Sequence, residues 1–309
     1  MSFTRTIKEE LCRIRLKRRD CRLAQLAGLT QTCGALRISR TPSVFYQSES
    51  AAVVRLTATL ATGLYALEAA MERKEQEHRR LPLAVVTLAG ADCRRLLLDT
   101  GVLSDEADGV SLVKRIPDAL VSTEEMRRAF LRGAFLGAGS CSDPSRGYHL
   151  EIAARTEDFA QAVAELIRQF GLGARSARRK GRPLVYLKGD DVAGFLALMG
   201  ASGAALRFED VRAEKDYRNY INRRSNCETA NIDKTVTAGL LQLQAIERIE
   251  ERMPLSELPA PLYEAARLRM QYPDATLQEL ADLAEIGKSG MNHRFARLLA
   301  LAKEFEGTT

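Results

Sequence analysis

The sequence predicts an α+β fold: a duplicated αββαββα saddle followed by an all-α unit built on a helix-turn-helix. Three observations carry that prediction. LAGLTQTCG at 26–34 is echoed by LRGAFLGAGS at 131–140, with small residues at every fourth position in both, Ala24, Gly28, Thr32 and then Ala129, Gly133, Gly137. The second set follows the first at a constant offset of 105 positions, as Gly133 follows Gly28. After each copy the apolar pattern runs strand, strand, helix, strand, strand, helix. Finally, residues 259–305 show helical periodicity alone.

The small-residue stripes matter because positions four apart share one helix face. A face without bulk lets two helix backbones approach closely, as in small-xxx-small pairs. The two copies are therefore expected to pack on each other, with Arg127, Arg128 and Arg132 keeping the pair water-soluble.

In chain order, residues 2–18 read as a short basic helix and 20–33 as the first core helix. Strands are expected at 35–40 and 44–48 around the turn signal Thr41-Pro42-Ser43. A helix over 51–67 follows, then strands at 69–74 and 83–88 joined by the charged segment 75–80, and a helix over 91–99 stopped by Gly101. The second half repeats this order. Thr123 caps a core helix to Ala138, 148–155 is a strand, and 157–170 a helix closed by Gly171. Strands at 174–180 and 184–188 flank Gly181-Arg182-Pro183, and 191–199 is a helix closed by Gly200. The pseudo-repeats span about 20–100 and 123–200, within a first domain of 1–200. Residues 201–230 read as a polar linker with short helical pieces, the first part of a 201–258 stretch of linker and long helix. A long helix capped by Asn231 or Asp233 then carries the stripe Ile232, Val236, Leu240, Leu243, Ile246, Ile249 and Met253, and Pro254 ends it.

Composition narrows the function. A chain of 309 residues fits about two domains of ~100–200 residues. A formal charge of +6 favours a polyanionic partner. The six cysteines form no CxxC pair and the three histidines are far apart, so no zinc spacing is present; His149-Leu150-Glu151 lacks the PCxxC that a zinc deaminase would need. The first twenty residues are basic without an apolar core, unlike a secretory signal, and no run approaches the ~18 apolar residues of a membrane span. A reducing, cytoplasmic compartment with free thiols is expected, and no metal or other cofactor.

The sharpest chemistry lies near the C-terminus. Thr276-Leu277-Gln278-Glu279 is a capping box that opens a short helix with Leu277, Leu280, Ala281 and Leu283 inward. After a turn at Ile286-Gly287-Lys288, Ser289 is expected to cap a second helix with Met291, Phe295, Leu298, Leu299 and Ala302 inward. Lys288, Ser289, Gly290, Asn292, His293, Arg294 and Arg297 are then gathered at its start and outer face, with Thr276 at the neighbouring cap. A helix-turn-helix presents such a set to the major groove, where Asn reads adenine, Arg reads guanine and other groups hold phosphates. The usual turn glycine is displaced: Glu285 stands there and Gly287 comes two residues later. A packing module with a merely solvated charged face is the alternative. Arg13, Arg15, Lys17, Arg18, Arg19 and Arg22, and separately Arg175, Arg178, Arg179, Lys180 and Arg182, are either phosphate contacts or solubilising runs. Arg223 and Arg224, in the Asn-rich segment 219–231, join the possible phosphate contacts.

The duplicated core resembles the LAGLIDADG homing endonucleases, whose core helices each place a metal-binding carboxylate one residue before the final motif glycine. Here those positions hold Cys33 and Ala138. A hard cation needs oxygen ligands, and neither residue supplies one. An active metal-dependent endonuclease is thus the disfavoured reading.

Across nearly the whole chain, SFTRTIKEEL, LRGAFLGAGS, YHLEIA, LRFEDVR, NCETANIDKT and KSGMNHR together resemble the WhiA family of bacterial regulators of sporulation and cell division. The resemblance implies a degenerate, non-enzymatic LAGLIDADG-like domain joined to a helix-turn-helix at 259–305 that binds double-stranded promoter DNA. It further implies transcription control linked to cell division, chromosome segregation and, in spore formers, sporulation, on the nucleoid. Other transcription regulators or RNA polymerase are the protein partners such a role brings. A saddle that is mainly a protein-interaction platform, with DNA binding secondary, is the remaining alternative.

Overall fold

A computed structural model of the chain describes residues 2–37, 43–75, 82–106, 109–112 and 115–306. The expected turn at residues 41 and 42, the end of the first strand and most of the charged segment 75–80 lie outside them. The chain divides into two compact units, Met1–Glu214 and Lys215–Thr309.

In the first unit, α1 (Phe3–Leu11) buries Phe3, Ile7 and Leu11. It is shorter than the 2–18 expected. From Arg13 to Lys17 exposed basic residues alternate with half-buried Ile14 and Leu16, a period of two that suits extended chain. The first repeat is α2 (Arg19–Cys33), β1 (Gly34–Arg37), β2 (Ser43–Ser48), α3 (Ala51–Leu64), β3 (Glu68–Lys74), β4 (Leu83–Ala89) and α4 (Cys93–Asp99). A hairpin that the apolar pattern did not announce, β5 (Leu103–Glu106) with β6 (Gly109–Leu112), precedes the second repeat. That repeat is α5 (Glu124–Ala138), β7 (Gly139–Cys141), β8 (His149–Ala153), α6 (Glu157–Arg168), β9 (Arg175–Arg179), β10 (Arg182–Lys188) and α7 (Asp190–Met199). The two antiparallel sheets have the same order, β1-β2-β4-β3 and β7-β8-β10-β9. The αββαββα duplication is therefore present in topology as well as sequence. Gly101, Gly171 and Gly200 follow the helices they were expected to stop, each with positive φ.

The repeats join through α2 and α5, whose backbones nearly touch. A Cβ added to Gly28 would stand 2.2 Å from the Phe130 carbonyl oxygen, and one added to Gly133 would stand 2.1 Å from that of Gln25. Only hydrogen fits there. Around this seam Leu26, Leu29, Phe130 and Phe135 are fully buried, and the Thr30 hydroxyl meets the Tyr46 hydroxyl at 2.9 Å. Arg132 does not serve solubility as expected: it is 7 % exposed and donates through Nε to the Met199 carbonyl at 2.6 Å.

The expected linker is instead one continuous helix, α8 (Ser202–Glu250), and the division between the units falls inside it. Between Gly203 and Gly239 no glycine or proline interrupts it. Its start is fixed from a distance, where the Glu10 carboxylate accepts from the main-chain N–H groups of Gly203 at 2.8 Å and Ala204 at 3.0 Å. Phe208 is buried in the first unit, near Phe3 and Tyr148, while Ala245, Ile246 and Ile249 are buried in the second. Of the predicted stripe, Val236 and Leu240 are more than half exposed. The middle of α8 is thus polar on most sides, a pattern that a solvent-exposed helix adopts when its ends are anchored.

In the second unit α9 (Ala260–Gln271), α10 (Leu277–Leu283) and α11 (Lys288–Glu306) pack around Leu262, Ala265, Leu280, Met291, Phe295 and Leu298.

Candidate nucleic-acid interface

The recognition turn is built by three local devices. Thr276 and Glu279 form the full capping box: the Thr276 hydroxyl accepts from the Glu279 N–H at 3.2 Å, and the Glu279 carboxylate accepts from the Thr276 N–H at 2.7 Å. Those bonds from Thr276 hold the Glu279 carboxyl below its ordinary pKa. At the other end of α10 the Ile286 N–H reaches the Ala281 carbonyl and the Glu285 N–H the Asp282 carbonyl, the paired bonds of a Schellman motif. Its left-handed position is held by Glu285, at φ 55°. Then α11 begins at Lys288, two residues earlier than a Ser289 cap would place it. Gly287 supplies the first accepting carbonyl, to Met291, so Ser289 lies inside the helix instead of capping it.

Met291, Phe295, Leu298 and Ala302 turn inward and are buried, with Leu299 half-buried. Leu283, expected inward, is 51 % exposed, because the Schellman turn begins directly after it. On the outer side Lys288, Ser289, Gly290, Asn292, His293 and Arg297 are all exposed. Ser289, His293 and Arg297 form one row at four-residue spacing, flanked by Asn292 and by exposed Ala296 and Ala300, whose small side chains leave the helix surface low. Arg294 stands apart from this row: its Nη1 is 2.7 Å from a Glu264 oxygen on α9, and its side chain is 19 % exposed. It braces α11 against α9.

A second brace was not visible in the sequence. Arg269 is 2 % exposed and donates to Gln242 Oε1 at 2.9 Å and to the carbonyls of Pro273 and Ala275 at 3.1 and 2.6 Å, with its guanidinium over the Phe295 ring. One side chain thus ties α8, the segment leading into α10, and α11 together. Burial lowers its pKa; three oxygen acceptors replace the lost water.

In the first unit the second sheet has a helix-covered face and an open one. Leu150, Ile152, Val185 and Leu187 fill the covered face. Arg178 belongs to that side, paired with Glu157 of α6. Arg175 and Arg179 of β9 lie on the open face with Arg182, Tyr186 and Lys188 of β10 and with His149 and Glu151 of β8, as the register requires. Glu151 accepts from Arg179 at 3.0 Å and lies 3.3 Å from His149 Nε2; the Lys188 ammonium sits over Tyr186 at 5.3 Å. The face is basic with one acid. Lys180 (φ 51°) and Gly181 make the tight turn between β9 and β10. Arg223 and Arg224 are exposed at successive positions of α8.

At the ends of the core helices stand Cys33 and Ala138, each half-buried. The Cys33 thiol donates to the Leu29 carbonyl, and burial pushes its pKa up to about 11. Lys8 of α1 lies within electrostatic reach of it. Arg155 donates to the carbonyl of Gly34, the residue after Cys33. Asp143, past the end of α5, is engaged by the N–H and hydroxyl of Ser145. Among the described residues no three His, Cys, Asp or Glu side chains converge as a metal site.

A duplicated αββαββα saddle meeting through two small-residue helices, followed by a helix-turn-helix, defines a LAGLIDADG-type scaffold fused to a helix-turn-helix unit. Family profiles for the WhiA LAGLIDADG-like domain and the WhiA C-terminal HTH domain match residues 127–218 and 221–302. A probable cell division protein WhiA from Heliobacterium modesticaldum is 40% identical over 311 residues, covering 99% of this chain and 97% of that one. Its counterpart in Clostridium perfringens is 38% identical, covering 98% of each. The chain belongs to the WhiA family. Full-length WhiA from Thermatoga maritima has the same fold, with 22% identity, a TM-score of 0.62 and 99% coverage of both chains.

Proposed function

We propose that the protein is a sequence-specific DNA-binding transcription regulator acting in cell division, with links to chromosome segregation and, where the host forms spores, sporulation. The observation that carries this reading is the exposed row on α11: Ser289, His293 and Arg297, with Asn292 beside them, on a helix held by a capping box, a Schellman turn and Arg269. Rigid placement is what base reading requires, because bidentate contacts tolerate little displacement. Asn292, His293 and Arg297 supply base contacts, while Lys288, Ser289, Gly290 and Thr276 supply backbone contacts around the helix start. Arg294 serves indirectly, through Glu264.

The open basic sheet face, with Arg175, Arg179 and Arg182, adds phosphate contacts, and Arg223 and Arg224 add others. The saddle does not cut DNA: Cys33 and Ala138 offer a hard cation no carboxylate. The protein works on promoter DNA at the nucleoid, in the company of other regulators or RNA polymerase. Among the described residues no helix is long and apolar enough to cross a membrane.

The test compares Asn292→Ala and Arg297→Ala on specific and scrambled duplexes across a salt series. Loss of a base contact should cost roughly 1–3 kcal/mol on the specific site alone; loss of a phosphate contact should weaken both and reduce the salt slope by about one. If both variants discriminate as well as the parent, α11 is not the reader.

A further inference from the structure

Where α1 and α3 meet, the first unit carries two adjoining depressions that belong neither to the core nor to the basic sheet face. One, of about 430 Å³, is walled by Arg5, Arg13, Arg15 and Arg55, with Glu9 as its one acid. Glu9 is already paired with Arg5, Nε to Oε1 at 2.8 Å. Arg13, Arg15 and Arg55 are exposed, and among the described residues none is in an ion pair. The other depression, of about 440 Å³, is lined by Val54, Met71, Pro82, Ala84 and Val85, together with Arg73, Glu49 and Glu72. Arg5, Ala51 and Arg55 line both, so the two form one groove, basic at one end and apolar at the other.

Its position separates it from the DNA reading. Residues Val53, Val54, Ala58 and Ala61 of α3 are buried in the core with Val44, Tyr46, Val86 and Leu88 of the first sheet. Met71 pairs with Val86 and so shares this helix-covered face, and the basic open face described above belongs to the second sheet.

Gathering four guanidinium groups against one carboxylate is unfavourable unless an anion joins them, and planar guanidinium forks match phosphate oxygens. The α3 N-terminus opens at the junction, where Ser50 makes no side-chain capping bond, and adds main-chain donors to the same place. Each depression falls within the ~300–1,000 Å³ of ordinary ligand clefts. We propose that this groove binds a nucleotide, with its phosphates among Arg5, Arg13, Arg15 and Arg55 and its base against Val54, Met71 and Pro82. The ligand acts as an effector: of the acid and thiol that line the phosphate end, Glu9 is held by Arg5 and burial pushes the Cys12 thiol up to about 12.

Equilibrium dialysis of the full chain against ATP, GTP and inorganic tripolyphosphate tests the proposal. Saturable one-to-one binding of at least one nucleotide is expected, about tenfold or more tighter than tripolyphosphate. Arg55→Ala, and Arg13→Ala with Arg15→Ala, should each weaken it by about tenfold or more. Met71→Gln, on an exposed edge strand, should shrink only the advantage over tripolyphosphate. All four positions are exposed, and thermal melts will verify that the variants fold. Failure of both nucleotides to saturate by millimolar concentration overturns the proposal, as does tripolyphosphate binding equally well. Arginine variants that weaken duplex DNA binding while sparing nucleotide binding would also overturn it and make the groove a DNA contact.

Discussion

Gly133→Ala tests the seam on which the saddle depends. In an open helix this change stabilises by up to ~1 kcal/mol, because alanine is the better helix former. At position 133 the new Cβ would lie 2.1 Å from Gln25 O, 3.0 Å from Gln25 C and 3.1 Å from Leu29 N. Each obstacle is main chain of α2, so no side chain can swing aside. Contact at an ordinary distance requires the two helices to part by more than an ångström. That separation loosens fully buried Leu26, Leu29, Phe130 and Phe135, where even small gaps forfeit dispersion energy. Overpacking in a yielding core costs 1–3 kcal/mol, and this site cannot yield locally, so a net loss of about 2–4 kcal/mol is expected. Urea unfolding of the full chain, followed through the transition of the first unit, should show a lower midpoint at unchanged slope. Gly63→Ala in α3 is the control. Its added Cβ meets nothing nearer than Arg22 Nη1 at 3.9 Å, and the substitution should be neutral or stabilising. If Gly133→Ala matched that control, close backbone approach would not be what α2 and α5 require.

Glu285→Gly should stabilise the second unit by about 1 kcal/mol, since left-handed backbone costs a non-glycine residue roughly that much; a midpoint that stays or falls in denaturant would refute this. Native protein at pH 8 should offer a thiol reagent one fast cysteine, the exposed Cys227, because burial pushes Cys12, Cys33 and Cys141 up to about 12, 11 and 12; several fast thiols would contradict the packing. Cys33→Asp with Ala138→Asp should still not take up Mn²⁺ in titration calorimetry unless Lys8→Ala is added. Submillimolar Mn²⁺ binding by that double variant with Lys8 in place would show that restoring two carboxylates suffices.

What the sequence revealed and what it hid follow from the range of the forces involved. The α2–α5 seam was legible because a backbone contact is specified by missing bulk at a fixed spacing, which Gly28 and Gly133 display directly. The capping box at Thr276 and the stops at Gly101, Gly171 and Gly200 are equally local. Continuity of α8 was not legible, since its polar middle resembles a linker and its anchors, Glu10 and Phe208 among them, act at its ends or from far away in sequence. The same holds on α11. Arg294 and Arg297 look alike in the sequence, and only Glu264, thirty positions earlier, turns the first into a brace. Arg269 is hidden for a related reason: nothing in its neighbours announces that Gln242 and two carbonyls will surround it. The displaced turn glycine shows the opposite case, in which the sequence anomaly was real and the fold absorbed it, because the bonds from Ile286 and Glu285 close the Schellman motif whatever residue occupies its left-handed position.

The ends of the core helices combine two positions without carboxylates with nearby basic groups. Removing two carboxylates would leave polar space that a hydrated cation could still visit. Here α1 brings Lys8 toward Cys33, and Arg155 crosses from the second repeat to the Gly34 carbonyl, so a guanidinium and a lysine amine stand at that end of α2. Burial lowers the pKa of Lys8, with Cys33, Cys12 and Glu49 acting in the opposite direction. While that amine is protonated, a divalent cation arriving beside it meets like charge in a site screened from water, where repulsion is stronger than in bulk solvent. A carboxylate restored at position 33 would find Lys8 first and pair with it. The thiol at position 33 and the neighbouring lysine act in the same direction: the first offers a hard cation no carboxylate, and the second, when protonated, repels one. A phosphate, by contrast, meets attraction at the same place.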